Sequence, residues 1–112
     1  MKIAVPTAND ELCMHFGHCE VFTIMDVDVK SSKITSVTKE VPPPHEPGLL
    51  PKWLGEKGVD VIIAGGMGSR AQQLFAANNV KVIAGASTGK PEDIVKLYLG
   101  NSLITGANTC DH

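Results

Sequence analysis

Arginine is almost absent from this 112-residue chain. Arg70 stands alone among ten basic residues, which face twelve acids for a formal net charge of −2. No basic stripe runs along any segment, so a nucleic-acid partner has little support and none is expected. Long apolar runs are missing as well. No stretch approaches the roughly 20 apolar residues that a membrane-spanning helix needs. The opening Met1-Lys2-Ile3-Ala4-Val5-Pro6 is too short, and too soon interrupted by proline, to serve as a signal peptide. Cysteine is scarce and odd in number, three in all, which does not suit the disulfide framework of a secreted protein. A cytoplasmic protein with no membrane partner is expected, in which thiols serve as buried hydrophobes, reactive groups or metal ligands. The apolar share of 43% suffices for one hydrophobic core, so residues 1–112 are expected to form one domain.

What is present reads as an α/β chain. Residues 2–5 suggest a short buried strand, and residues 7–19, which show no sustained period, a loop. Glu20 to Val29 and Ile34 to Val41 read as two strands joined by a turn over Lys30–Lys33, an antiparallel hairpin with one wet face. Three prolines, 42–44, end it. A helix then begins near Leu50, with Pro51 in its first turn, Leu49, Leu50, Trp53 and Leu54 as its apolar stripe, and Gly58 as its stop. Beyond it strands and helices alternate. Val59–Ala64 and Val80–Ala84 have the continuous apolar character of buried parallel strands. A helix starts at Ser69 with Gln72 completing a capping box, and its apolar face is Ala71, Leu74 and Phe75. The last helix opens on Pro91-Glu92-Asp93, buries Ile94, Leu97 and Tyr98, and ends at Gly100. Residues 101–112 read as a flexible tail. The sum is a mixed five-stranded sheet covered by helices.

Four features bear on chemistry. Cys13-Met14-His15-Phe16-Gly17-His18-Cys19 packs four candidate ligands, Cys13, His15, His18 and Cys19, into seven residues. Thiolate with imidazole suits zinc, copper(I) or iron–sulfur chemistry, whereas magnesium or calcium would want oxygens. Cys13 and His15, two apart, share a side in extended chain. His18 and Cys19, being consecutive, diverge, so one of them is expected to join. The terminal Cys110-Asp111-His112 repeats the Cys-x-His spacing, and two such pairs would make a tetrahedral Cys2His2 set. Gly65-Gly66-Met67-Gly68, followed by Ser69 and Arg70, lies between a strand and a helix, where backbone N–H groups are ready to meet an anion. It lacks the lysine of a P-loop, and tight packing of strand against helix is the plainer use of such glycines. His45, after the three prolines, is a fourth ligand candidate near the same sheet edge. Nucleophilic catalysis has little support, since no orienting third group stands out beside a Cys–His pair.

The whole sequence resembles the dinitrogenase iron–molybdenum cofactor biosynthesis family, the NifX-like domain also found at the C-terminus of NifB. Three stretches carry the resemblance: His15-Phe16-Gly17 followed by Phe22; Gly48 through Trp53-Leu54 to Gly58-Val59-Asp60-Val61-Ile62-Ile63; and Gly65-Gly66-Met67-Gly68 with Ala71 and Leu74. It implies a ribonuclease H-like fold, a three-layer α/β/α arrangement with a mixed five-stranded sheet. It also implies binding of the iron–molybdenum cofactor, its precursors or related metal–sulfur clusters without turnover, in exchange with donor and acceptor proteins in a nitrogen-fixation-related setting. His15 is the ligand position it carries over, and the glycine turn the second contact. Cys13, His18, Cys19 and the terminal Cys-Asp-His resemble the small, stand-alone, cysteine-bearing branch. Two other classes stay open: a zinc or copper(I) protein using Cys13, His15, Cys110 and His112, and an enzyme, either a nuclease by fold analogy or a cysteine-dependent catalyst.

Overall fold

The structure, a computed structural model, describes residues 1–13, 20–42, 49–86 and 89–100. The elements run β1 (Lys2–Ala8), β2 (Glu11–Leu12), β3 (Val21–Asp28), β4 (Lys33–Glu40), α1 (Leu49–Glu56), β5 (Val61–Ile63), α2 (Ser69–Ala77), β6 (Lys81–Ile83) and α3 (Pro91–Leu99). The five expected strands form one mixed sheet in the order β4-β3-β1-β5-β6, and the two-residue β2 joins β1 as a sixth. β3 is antiparallel to both β1 and β4, while β5 and β6 continue parallel to β1.

Side chains alternate across the sheet and so sort into two cores. Ala4, Phe22, Ile24, Ile62 and Ala64 face α1 and α2, meeting Leu50, Leu54 and Phe75. Ile3, Val5, Met25, Val27, Val61 and Ile63 face α3, meeting Ile94 and Val95. The result is α/β/α in three layers. No helix among the described residues is long and apolar enough to cross a membrane.

Several sequence expectations need correction. β1 continues through Pro6 to Ala8 instead of stopping at Val5. Its odd positions bond towards β3, as Val27 N to Met1 O and Glu20 N to Thr7 O show. Pro6 therefore turns its missing N–H away from β3 and supplies only its carbonyl, to Cys13 N at 2.8 Å. The expected loop over 7–19 begins with a hairpin: Thr7 pairs with Leu12 and Ala8 with Glu11 around Asn9-Asp10, whose φ values of 55° and 63° are those of a type I′ turn. The β3–β4 hairpin does not have one wet face. β3 lies between two strands and under helices on both sides, so Phe22, Thr23, Ile24, Met25 and Val27 are all buried, and exposure falls on the edge strand β4. In α3 the buried stripe is Ile94, Val95, Tyr98 and Leu99, while Leu97 points outward at 46% exposure. The capping box at α2 does not form: Gly68 is the N-cap in extended conformation, and Gln72 turns its side-chain amide to Met67 O at 2.9 Å.

The stop at Gly58 is as expected, and its geometry explains it. Gly58 N bonds to Gly55 O and Val59 N to Leu54 O, the paired bonds of a Schellman cap with Gly58 left-handed at φ +79°. A Cβ added at Gly58 meets nothing within 4 Å, so a side chain there costs backbone strain alone. Gly58→Ala is expected to destabilise the fold by about 1 kcal/mol. Urea unfolding checks this, and unchanged stability would mean the cap tolerates an L-residue. α2 closes in the same way with Asn79 left-handed at φ 62°.

Candidate metal-binding edge

β1, β4, β5 and β6 all point their carboxyl ends to one edge of the sheet, and the segments carrying Cys13, the glycine turn and His45 leave from that edge. The β1–β2 hairpin folds the chain back so that Cys13, half-buried, lies beside the end of β1. Cys13 N donates to Pro6 O and Glu20 N to Thr7 O, each at 2.8 Å. The Glu20 carboxylate accepts the Asn9 N–H, also at 2.8 Å. Both ends of the Cys/His segment are thus fastened to consecutive residues of one strand. His15, His18 and Cys19, within it, lie outside the described residues, as do His45, Cys110 and His112. Cys13 is the one metal-ligand candidate the structure describes. Among the described residues no three His, Cys, Asp or Glu side chains gather into a metal-holding group.

The glycine turn departs from the neighbouring strand. β1 and β5 pair Ile3 with Val61 and Ala4 with Ile62, and continuing this register sets Ala64 level with Pro6, the residue that anchors Cys13. Gly65 and its neighbours are stitched to the turn after β6 by Gly85 N to Gly65 O and Ala86 N to Ala64 O, at 2.8 and 3.1 Å. Gly65 and Gly66 are buried, Gly68 is half-buried, and Ser69 and Arg70 are exposed. The Met67 side chain is fully buried in the core, so only its backbone can serve the turn. Among the described residues no side chain caps the start of α2.

The segment bearing His45 leaves after Pro42 and re-enters at Leu49. Its base is braced by Lys57, which lies 2.7 Å from the Glu40 carboxylate and 4.9 Å above the Trp53 ring, itself edge-on to Phe22 at 5.8 Å.

One feature escaped the sequence reading. A cavity of about 520 Å³ opens between the α3 side of the sheet and the first turn of α3, lined by Thr7, Thr23, Lys39, Asp10 and Lys90 to Asp93. Thr7 and Thr23 are the buried polar side chains of the described core, 1% and 2% exposed. Their signal lay in register. Thr7 continues the inward set Ile3, Val5, and Thr23 precedes Met25 and Val27 on the same face, so a hydroxyl stands at an inward position in each of two paired strands.

The sequence matches the family described as "Dinitrogenase iron-molybdenum cofactor" over residues 1–101. The uncharacterized protein MJ0580 of Methanocaldococcus jannaschii is 29% identical over 106 residues, covering 92% of this chain and 89% of that protein. The crystal structure of PH0822 superposes with a TM-score of 0.86 at 25% identity, covering 96% of both chains. The apo form of the orange protein from Desulfovibrio gigas shares the fold, with a TM-score of 0.73 at 20% identity over 96% of this chain and 93% of that one. With the family match spanning nearly its whole length, the chain belongs to the dinitrogenase iron–molybdenum cofactor family.

Proposed function

We propose that this protein binds and carries the iron–molybdenum cofactor, a precursor of it or a related metal–sulfur cluster, passing it between donor and acceptor proteins without turnover. Ligation centres on the segment that starts at Cys13 and contains His15. The observation that supports this most directly is the fastening of that segment. Cys13 and Glu20 are both bonded to the end of β1, and the glycine turn leaves the adjacent strand at the same level.

The residue types suit such a cargo. A half-buried thiol at the carboxyl edge offers a soft ligand. The N-terminus of α2, where the N-cap Gly68 has no side chain and Arg70 is exposed, offers positive potential to an anionic cluster. Carriage needs exchangeable ligation, which an open, partly solvated site allows and a closed four-ligand cage would resist. His18, Cys19 and His45 belong to segments rooted at this edge and are further candidate ligands.

Anaerobic titration of apo-protein with iron(II), sulfide and molybdate, followed by visible absorption, tests the reading. A saturable charge-transfer band is expected. No spectral change with the wild-type protein would overturn it.

A zinc or copper(I) site built from Cys13, His15, Cys110 and His112 is the second reading, and the length of the tail favours it. Nine-residue α3 spans about 13 Å at 1.5 Å per residue, from the carboxyl edge to Gly100. Ten residues, 101–110, extend up to about 33 Å. Cys110 is therefore within reach of Cys13.

A further inference from the structure

We infer that the cavity between Thr7, Thr23 and the first turn of α3 is a second ligand site, beside the metal-binding edge on the α3 face of the sheet, and that it takes a small organic amine. Neither Cys13 nor any residue of the glycine turn is among the described residues that line it. At about 520 Å³ it has the size of small-molecule sites.

The hydrogen bonds of its floor decide the kind of head group it accepts. Thr7 Oγ1 lies 2.8 Å from Val5 O, a carbonyl that only accepts, so the single Thr7 hydroxyl proton is committed there. The Thr7–Thr23 contact, also 2.8 Å, must then use the Thr23 proton. Both protons are spent inside the protein. What the pair has left are lone pairs, two on Thr23 and one on Thr7, and a ligand reaching them must bring hydrogen-bond donors. A carboxylate has none to bring.

The charges around the floor agree with this. Lys39 is paired with Asp10 at 3.1 Å on the exposed rim, so these two add no net charge. Of the remaining lining charges Glu92 and Asp93 are negative and Lys90 is positive, an excess of one carboxylate. The same two acids lie in the first turn of α3 and offset the positive end of the helix, which would otherwise draw an anion. A bare metal ion is a poorer fit, because no three of the described acids come together as ligands. A protonated amine satisfies floor and rim at once. Its N–H groups meet the threonine oxygens, and its charge meets Glu92 and Asp93.

Calorimetric titration of the full chain with 1,4-diaminobutane tests the proposal, with 1,4-butanediol and butanedioate as probes of equal length. Binding of the diamine is expected, with little or none of the diol and none of the dianion. Thr23→Val keeps the side-chain shape and removes the lone pairs, and should weaken diamine binding about tenfold or more. Should that variant fold poorly, the exposed pair Glu92→Gln with Asp93→Asn should weaken it several-fold while circular dichroism shows the fold retained. The proposal is overturned if the diamine does not bind, if the dianion binds in preference, or if Thr23→Val binds as the wild type does. Iron–sulfide titration of Thr23→Val should match the wild type, so the two sites fail or stand independently.

Discussion

Cys13→Ala combined with His15→Ala is expected to abolish the absorption change seen on anaerobic titration with iron, sulfide and molybdate. Losing even an outer-shell partner of a metal ligand weakens binding about 10- to 100-fold, so losing the two proposed ligands should weaken it by at least about 100-fold. The double variant should nevertheless fold. Cys13 is half-buried and meets β1 through its backbone N–H, which alanine keeps. Circular dichroism would confirm that the loss is one of ligands and not of structure. An undiminished spectrum would move the site away from this segment. Deleting residues 110–112 distinguishes the cargo. A Cys2His2 zinc site would lose half of its ligands and collapse, whereas a cluster centred on His15 should only bind more weakly.

The largest effect on stability is expected from Phe75→Ala. Phe75 is fully buried between α2 and the sheet, in the cluster that contains Phe22, Leu54, Ile62 and Met67. Its carbonyl also accepts the Val80 and Asn78 N–H groups that close α2. Truncating a buried phenylalanine costs about 3–5 kcal/mol, the lost transfer energy plus the cavity left behind. Domains of this size have only about 5–15 kcal/mol in total, so the midpoint of thermal unfolding should fall by on the order of 15 °C. Leu97→Ala serves as the control. Leu97 is also apolar and helical but turned outward, and its change should lie within about 0.5 kcal/mol. Comparable losses for the two would mean that α2 does not pack as described.

How much could be read from the chain alone depended on whether the signal was local. The helix stops at Gly58 and Gly100 and the proline start of α3 are written in single residues, because caps act over one turn. The I′ turn at Asn9-Asp10 was just as local and went unread, since a two-residue strand has no period to announce it. Leu97 failed for a different reason. Leu97 and Val95 both lie near Ile94 around the helix, and only the position of the sheet decides which of them is covered. The wet face expected of the β3–β4 hairpin failed likewise, because burial of a strand depends on its neighbours and not on its own alternation.

The sequence by itself determined the α/β class, the order of the elements and the family, because these rest on periodicities, turn residues and an ordered set of motifs along 101 residues. It also offered Cys13, His15, His18 and Cys19 as candidate soft ligands, because four such residues fall within seven positions. Tertiary structure decided placement. Only the parallel pairing of β1 with β5 sets the glycine turn level with the anchor of Cys13. Only the packing of α3 across β1 and β3 encloses Thr7 and Thr23 beneath Lys90–Asp93. Both involve residues more than 50 positions apart. Contacts of that range come from strand register and helix docking, which no short stretch of sequence encodes.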